Sequence, residues 1–265
     1  MIPLQTWLKS PEVVELKKKS EGTKFSREFF RDPIRPIYLN PEVFYAPADG
    51  IILYAHARIK PDAPVVVIKG RELTVRDVLD DKGFKDDCLV VGTFMTEYDV
   101  HVNRVPTSGY VAECHRTPYL FTHNFSMKLE QDDLMKGKGT HPDDMGYLFP
   151  NERTIVSIYA PKIKCSYYVV QIAERDVDEI CNWGYEHHVQ GERYGLVRFG
   201  SQVDLIIPLC GDNHYELLAK PNHHIIGGRD ALVKVICQKN TLTKQQVPIS
   251  TANQLSAKTN LQGLQ

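Results

Sequence analysis

The sequence predicts an α+β fold, predominantly β, built as a single mixed β-rich domain with few helices. Three observations carry that expectation. From residue 51 onward, short runs rich in Val, Ile and Tyr follow one another: "IILYAHARI", "VVVI", "CLVVGTFM", "TIVSIYA", "YYVVQIA", "LVRF", "VDLIIP" and "ALVKVIC". Gly, Pro, Asp and Asn separate them, as turn residues separate strands. Helical patterning is confined to a few stretches such as "LTVRDVLDD" and "RDVDEICNW". There is no internal repeat and no βαβ rhythm of about 30 residues, which argues against a doubly wound sheet.

Taken in order, residues 1–36 read as a helical or irregular arm whose apolar positions are Leu4, Leu8, Val14 and Leu16. Its charge is +3, from eight Lys/Arg against five acids. A basic arm carrying Trp7 can rest on an anionic membrane surface, but such arms more often pack across their own domain. Residues 37–240 hold the strand signals and form the folded domain. The tail, 241–265, lacks aromatic and acidic residues and is rich in Gln, Thr and Asn, so it is expected to be disordered.

Composition narrows the function classes. A length of 265 residues with 42% hydrophobic and 25% charged residues is that of a soluble globular protein with a substantial core. A net charge of −1 supplies no global field for nucleic acid, and none is expected as a partner. No apolar run approaches the ~20 residues of a spanning helix, and the N-terminus lacks the apolar core of a signal peptide. A cytoplasmic protein, with peripheral membrane contact as an addition, is the expectation. The six cysteines have no C-x-x-C spacing and read as buried free thiols in a reducing compartment. The pairs His187/His188 and His223/His224 hint at metal. Neighbours on a strand point to opposite faces, so no shared ion is expected, and these histidines read as surface or loop residues.

The familiar signatures G-x-x-x-x-G-K-[ST], G-x-S-x-G and H-E-x-x-H are missing. Three polar segments beside apolar runs remain: "APADG" (46–50), "FMTEYDVHVNRVPTSG" (94–109) and "RFGSQVDL" (198–205). Each has a bland reading. Pro-Ala-Asp-Gly is a good turn, which makes Asp49 a turn former. Alternation sends Asp99, His101 and Asn103 to one face, which can be the wet side of a sheet. Gly200 and Ser201 break an apolar run, as a bulge or tight bend does.

In this order and with their flanks, the segments resemble the phosphatidylserine decarboxylases, self-processing enzymes with a pyruvoyl prosthetic group. The likeness is strongest to short members with a D-V-H-V-N-R-x-P stretch and an F-G-S-x-V-D-L ending. It runs from "FFRDPIRPI" through "PADGII", "FMTEYDVHVNRVPTSGYV" and "NERT" to "GERYGLVRFGSQVDLIIP", residues 29–208.

The resemblance implies a catalytic domain at 37–240 that is cut between Gly200 and Ser201 into two chains that stay associated. The serine hydroxyl attacks the glycine carbonyl, the resulting ester undergoes β-elimination, and hydrolysis leaves a covalent pyruvoyl group derived from Ser201. That group takes the substrate amine as a Schiff base and serves as electron sink, as pyridoxal phosphate does elsewhere. Asp49 matches the aspartate that orients the histidine of the cleavage triad, in the Ser-His-Asp manner. His101 matches the first histidine of the family's H-x-x-H. The second position holds Arg104, so His101 does both jobs or His115 or His123 helps. Implied substrates are phosphatidylserine or, as in related soluble enzymes, a free aromatic amino acid. A non-cleaving homologue acting as a binding or scaffold protein is the remaining alternative, and a homodimer is compatible with the family. No metal is implied.

Overall fold

The structure, a computed structural model of the chain, describes residues 1–19, 27–28, 30–117, 127–174, 180–184, 186–198 and 201–236. The strands are β1 Ile2–Pro3, β2 Val43–Tyr45, β3 Gly50–Ile59, β4 Pro64–Ile68, β5 Arg71–Thr74 and β6 Cys88–Met95. Then come β7 Val102–Arg104, β8 Gly109–Thr117, β9 Arg153–Ala160, β10 Cys165–Ala173, β11 Ile180–Asn182 and β12 His187–His188. The last five are β13 Arg193–Val197, β14 Ser201–Pro208, β15 His214–Leu217, β16 His223–Ile225 and β17 Ala231–Ile236. Each of the eight apolar runs contributes to a strand, and the fold is α+β, predominantly β. The tail 241–265 lies outside the described residues.

A nine-stranded sheet in the order β1-β16-β3-β6-β14-β10-β9-β8-β12 forms the centre. Three smaller sheets, β11-β13-β7, β15-β17-β2 and β4-β5, accompany it. Apolar clusters cover both faces. Along β14, Val203, Leu205 and Ile207 enter one cluster while Ile206 enters the other, as the period of two dictates. All eight residues of β14 are buried.

"LTVRDVLDD" yields only a short helix, Val75–Val78, opened by a capping box in which Thr74 and Asp77 satisfy each other's amides. The helical expectation for "RDVDEICNW" is corrected where it can be checked. Ile180–Asn182 form β11, because their amides pair with β13 in the register Cys181↔Leu196. Residues 175–179 lie outside the described residues.

The arm packs on its own domain. β1 pairs with β16 through Ile2↔His224, and Leu4, Trp7, Val13 and Leu16 are buried. Ser10 caps helix Pro11–Lys18, whose Val13 and Leu16, three apart on one face, are buried, while Val14, expected among the packing positions, is exposed. The cysteine reading also needs correction. Cys165, at the start of β10, and Cys210, just past β14, form a disulfide across two adjacent strands. Cys88, Cys114 and Cys181 are free, and Cys237 lies outside the described residues.

A buried polar network lies under β14. Tyr54 donates to Asp204 Oδ2 at 2.7 Å, and Gln202 Nε2 donates to Asp204 Oδ1 at 2.6 Å and to the Tyr54 hydroxyl at 2.7 Å. Tyr147 donates to Gln202 Oε1 at 2.8 Å. Burial pushes the Asp204 pKa up to about 6, against the hydrogen bonds from Tyr54 and Gln202. The network explains a glycine in mid-strand: the Tyr54 ring lies over Gly92, its cross-strand partner, and a Cβ there would meet that ring at 2.4 Å. Gly92→Ala is therefore expected to destabilise the protein by about 1–3 kcal/mol, the usual cost of overpacking, measured as a fall in the denaturation midpoint. An unchanged midpoint would mean that the ring moves freely.

Candidate active site

The three polar segments meet in space. Arg104 N donates to Pro47 O at 2.7 Å and Tyr45 N to Pro106 O at 3.0 Å, which ties the Pro47–Gly50 turn to the strand after His101. β7 pairs with β13 in the register Asn103↔Gly195, and β14 enters the central sheet with Ser201 opposite Met95 on β6 and Ala173 on β10. "NERT" serves this geometry. Asn151 Nδ2 donates to Ala173 O at 2.8 Å, and Ala173 N donates to Glu152 O at 2.9 Å, so the residue facing Ser201 is clamped from both sides.

Ser201 is fully buried, and its Oγ has no hydrogen-bond partner among the described residues. Gly200 lies outside the described residues. Strand pairing puts Ser201 and Met95 on one face, where Asn103 Nδ2 reaches Met95 Sδ at 3.5 Å. Asn103 Oδ1 accepts from Gln171 Nε2 at 2.7 Å, and Gln171 Oε1 accepts from Asn182 Nδ2 at 2.7 Å. Gly195 leaves room for this chain of amides, since a Cβ there would strike Asn182 Oδ1 at 2.1 Å. These amides were not singled out as a group in the sequence.

His101 is fully buried, and its Nδ1 donates to Asp99 O at 3.1 Å. Burial pushes its pKa down to about 4, opposed by the nearby Asp99 charge and helped by Arg31, so the imidazole is neutral at pH 7. Asp49 has other partners: Arg35 grips it with two hydrogen bonds of 2.6 Å, and Gly227 N donates to its Oδ1 at 2.7 Å. No hydrogen bond joins Asp49 to His101 among the described residues.

The carboxylate beside His101 is Asp99, which accepts from His224 Nε2 at 2.7 Å. Burial works to raise the Asp99 pKa, but the charge and hydrogen bond of His224 and the bonds from Thr96 hold it below the ordinary value. Asp49, Asp99, His224 and Arg35 all border a cavity of about 350 Å3. The role of His224 was not legible in the sequence: the surface-or-loop expectation for the histidine pairs fits the outward His187 and His223 but not His188 and His224. Both pairs lie on strands, with His188 and His224 buried and their neighbours outward, because strand alternation gives each pair one inward position.

Arg104, at the second histidine position, is buried and donates to Gly191 O at 3.0 Å, with Asp32 at 3.5 Å. Burial, Arg35 and Arg193 lower its pKa. His115 is exposed beside Asp80 at 3.3 Å on β8, three strands from β14. His123 lies outside the described residues. Among the described residues no group of side chains is arranged to hold a metal ion, and no helix is long and apolar enough to cross a membrane.

The chain is similar to curated proteins named phosphatidylserine decarboxylase proenzyme. That of Chlorobium phaeobacteroides is 28% identical over 184 residues, 69% of this chain and 68% of the relative. That of Amoebophilus asiaticus is 27% identical over 215 residues, covering 80% and 76% respectively. That of Rickettsia akari is 30% identical over 202 residues, covering 76% and 70%. No solved structure matches the chain. The phosphatidylserine decarboxylase family model matches residues 23–233, a span that includes all three polar segments, and the chain belongs to that family.

Proposed function

We propose that this chain is a proenzyme that cuts itself between Gly200 and Ser201 and then converts phosphatidylserine to phosphatidylethanolamine and CO2. The observation that carries the reading is the Ser201 hydroxyl, buried at the head of a central strand without a described partner. A hydroxyl left so costs about 1–3 kcal/mol. The cost is understood if the oxygen is kept for the neighbouring carbonyl rather than for a structural bond. This fits a serine that becomes a pyruvoyl group.

In this reading Ser201 Oγ gives its proton to a base and attacks the Gly200 carbonyl carbon, so that an ester C–O bond replaces the peptide C–N bond. Removal of the residue 201 Cα proton breaks the Cβ–O bond and releases residues 1–200 with a carboxylate end. Water then converts the dehydroalanine to a ketone, and ammonia leaves. His101, neutral and dry, suits these proton transfers through Nε2. Asp49 supports the step at one remove, since its grip on Arg35 fixes the turn that hydrogen-bonds to Arg104 on the His101 strand. Once formed, the pyruvoyl group supplies the electron sink for loss of CO2. His101 then returns a proton to the substrate carbon.

The phospholipid is met at a membrane surface. Trp7 is packed inside the protein, so the arm attracts lipid through exposed Lys9, Lys17, Lys18 and Lys19 rather than by insertion. Lys18 and Lys19 are paired with Glu15 and Glu28, so the attraction, about 1 kcal/mol per unpaired charge and screened by salt, falls mainly to Lys9 and Lys17.

Purified wild-type protein should contain fragments 1–200 and 201–265 that copurify, the shorter one refractory to Edman degradation because a keto acid replaces its amine. Ser201→Ala should remain one inactive chain; turnover by that variant would end the pyruvoyl reading. His101→Ala should lower decarboxylation by about 100-fold or more. Wild-type self-cleavage should hold its rate from pH 7 down to pH 5 and fall as His101 protonates near its pKa of about 4. Normal processing and turnover in both His101→Ala and Asp49→Ala would leave these residues purely structural. Replacing the four exposed lysines by Gln should weaken binding to phosphatidylserine vesicles, and high salt should do the same to wild type. Turnover of free tryptophan or serine with none of the lipid would reverse the substrate assignment.

A further inference from the structure

The Asp99–His224 pair takes no part in the reading above, yet it adjoins His101. Asp99 is 2% exposed, and all its acceptors are engaged. Its carbonyl accepts from His101 Nδ1 at 3.1 Å, and Oδ1 accepts from His224 Nε2 at 2.7 Å. Oδ2 accepts from Thr96 N at 2.8 Å and from Thr96 Oγ1 at 2.7 Å, while Asp99 N closes the turn on Thr96 O at 3.0 Å. His224 is fixed in turn. Its strand pairs with β3 and β1, and its ring stacks on Trp7 with centroids 4.4 Å apart and planes at 11°.

We propose that Asp99 and His224 are the positioning pair for His101: they hold the Thr96–His101 turn so that the imidazole donates from Nδ1 and carries its lone pair on Nε2. The inference rests on His101 being the acid/base group of the proposed reaction. A carbonyl oxygen can only accept, so the Asp99 carbonyl selects one tautomer, as the buried aspartate of a Ser-His-Asp triad does. Among the charges acting on His101 are Asp99, which favours the imidazolium, and Arg31, which opposes it. Loss of the Asp99 charge therefore moves the His101 titration further toward acid. Asp49, engaged by Arg35 and Gly227, is left to stabilise its own turn.

The test is 15N-histidine NMR on full-length wild type, Asp99→Asn, His224→Leu and His224→Gln, with self-cleavage and decarboxylation followed separately. Wild type should show His101 neutral with its proton on Nδ1. Asp99→Asn and His224→Leu should give mixed His101 tautomers and decarboxylation lower by about 10–100-fold, the usual scale for losing an outer partner of a functional histidine. His224→Gln keeps an N–H donor for Asp99 and should recover most of both signals. Should His224→Leu not fold, the wild-type tautomer and Asp99→Asn still decide. A wild-type proton on Nε2, or a His101 tautomer and titration indifferent to Asp99→Asn, overturns the proposal. If the tautomer responds as stated but His101→Ala turns over normally, the positioning stands and the role given to His101 fails.

Discussion

β14 is buried along its whole length and on both faces, and the hydrogen-bonded networks on either side of it are arranged around that constraint. In such a place a side chain that can hydrogen-bond must find its partner within the protein or incur its full desolvation cost. Gln202 and Asp204 find theirs in Tyr54 and Tyr147, and Gly92 exists because the Tyr54 ring must pass over it. On the other face Asn103, Gln171 and Asn182 satisfy one another across three strands, with Gly195 leaving the space. Ser201 sits among these settled groups with an oxygen that has no described partner. Thr93 Oγ1, on the neighbouring strand β6, shares that condition, so the Ser201 oxygen is set apart by its place beside the Gly200 bond rather than by isolation alone.

The carboxylates follow the same logic. Two aspartates border one cavity, each held by a different partner: Asp49 by the Arg35 guanidinium and Asp99 by the His224 ring N–H. Burying either alone would be costly, and removing one member of such a pair leaves the other charge stranded. The pairs differ in what they can do. A guanidinium stays charged at any working pH, so the Arg35–Asp49 pair is a fixed strut. The Asp99–His224 hydrogen bond instead reaches the turn that carries His101, because Asp99 also accepts from Thr96 and from His101. Arg104 fits this division: in place of a second histidine it supplies a permanent cation, committed to Gly191 and Asp32.

Much of this architecture is legible in the sequence, and the limits are physical. Strands such as "CLVVGTFM" and "VDLIIP" announce themselves because a central strand must be apolar on both faces. "RDVDEICNW" misleads because its ending obeys a pairing with β13 that no local pattern encodes. The alternation in "DVHVN" does not sort inward from outward positions, since all five residues are buried and only the last two lie in β7, and it cannot say that Asp99 turns its carboxylate to a histidine 125 residues away. The disulfide between Cys165 and Cys210 is hidden for the same reason, since only the β10–β14 pairing brings them together. Local chemistry is readable from local sequence; partnerships across the sheet are not.

The position of the Gly200–Ser201 bond in the topology gives the break its significance. Everything described beyond it is woven into what precedes it: β14 lies between β6 and β10, β16 between β1 and β3, and β17 carries β2 on one edge. Pulling these strands out would expose buried side chains such as Val203, Leu205, Ile206, Ile225 and Val233, each worth roughly 1.5–3 kcal/mol. The cut proposed at the head of β14 would leave these pairings in place. Residue 201 would then be a strand end tethered from one side. Gln202, held by Tyr54, Tyr147 and Asp204, would anchor that end. The buried network under β14 is what would let the cut chain of the proposed proenzyme keep a rigid site.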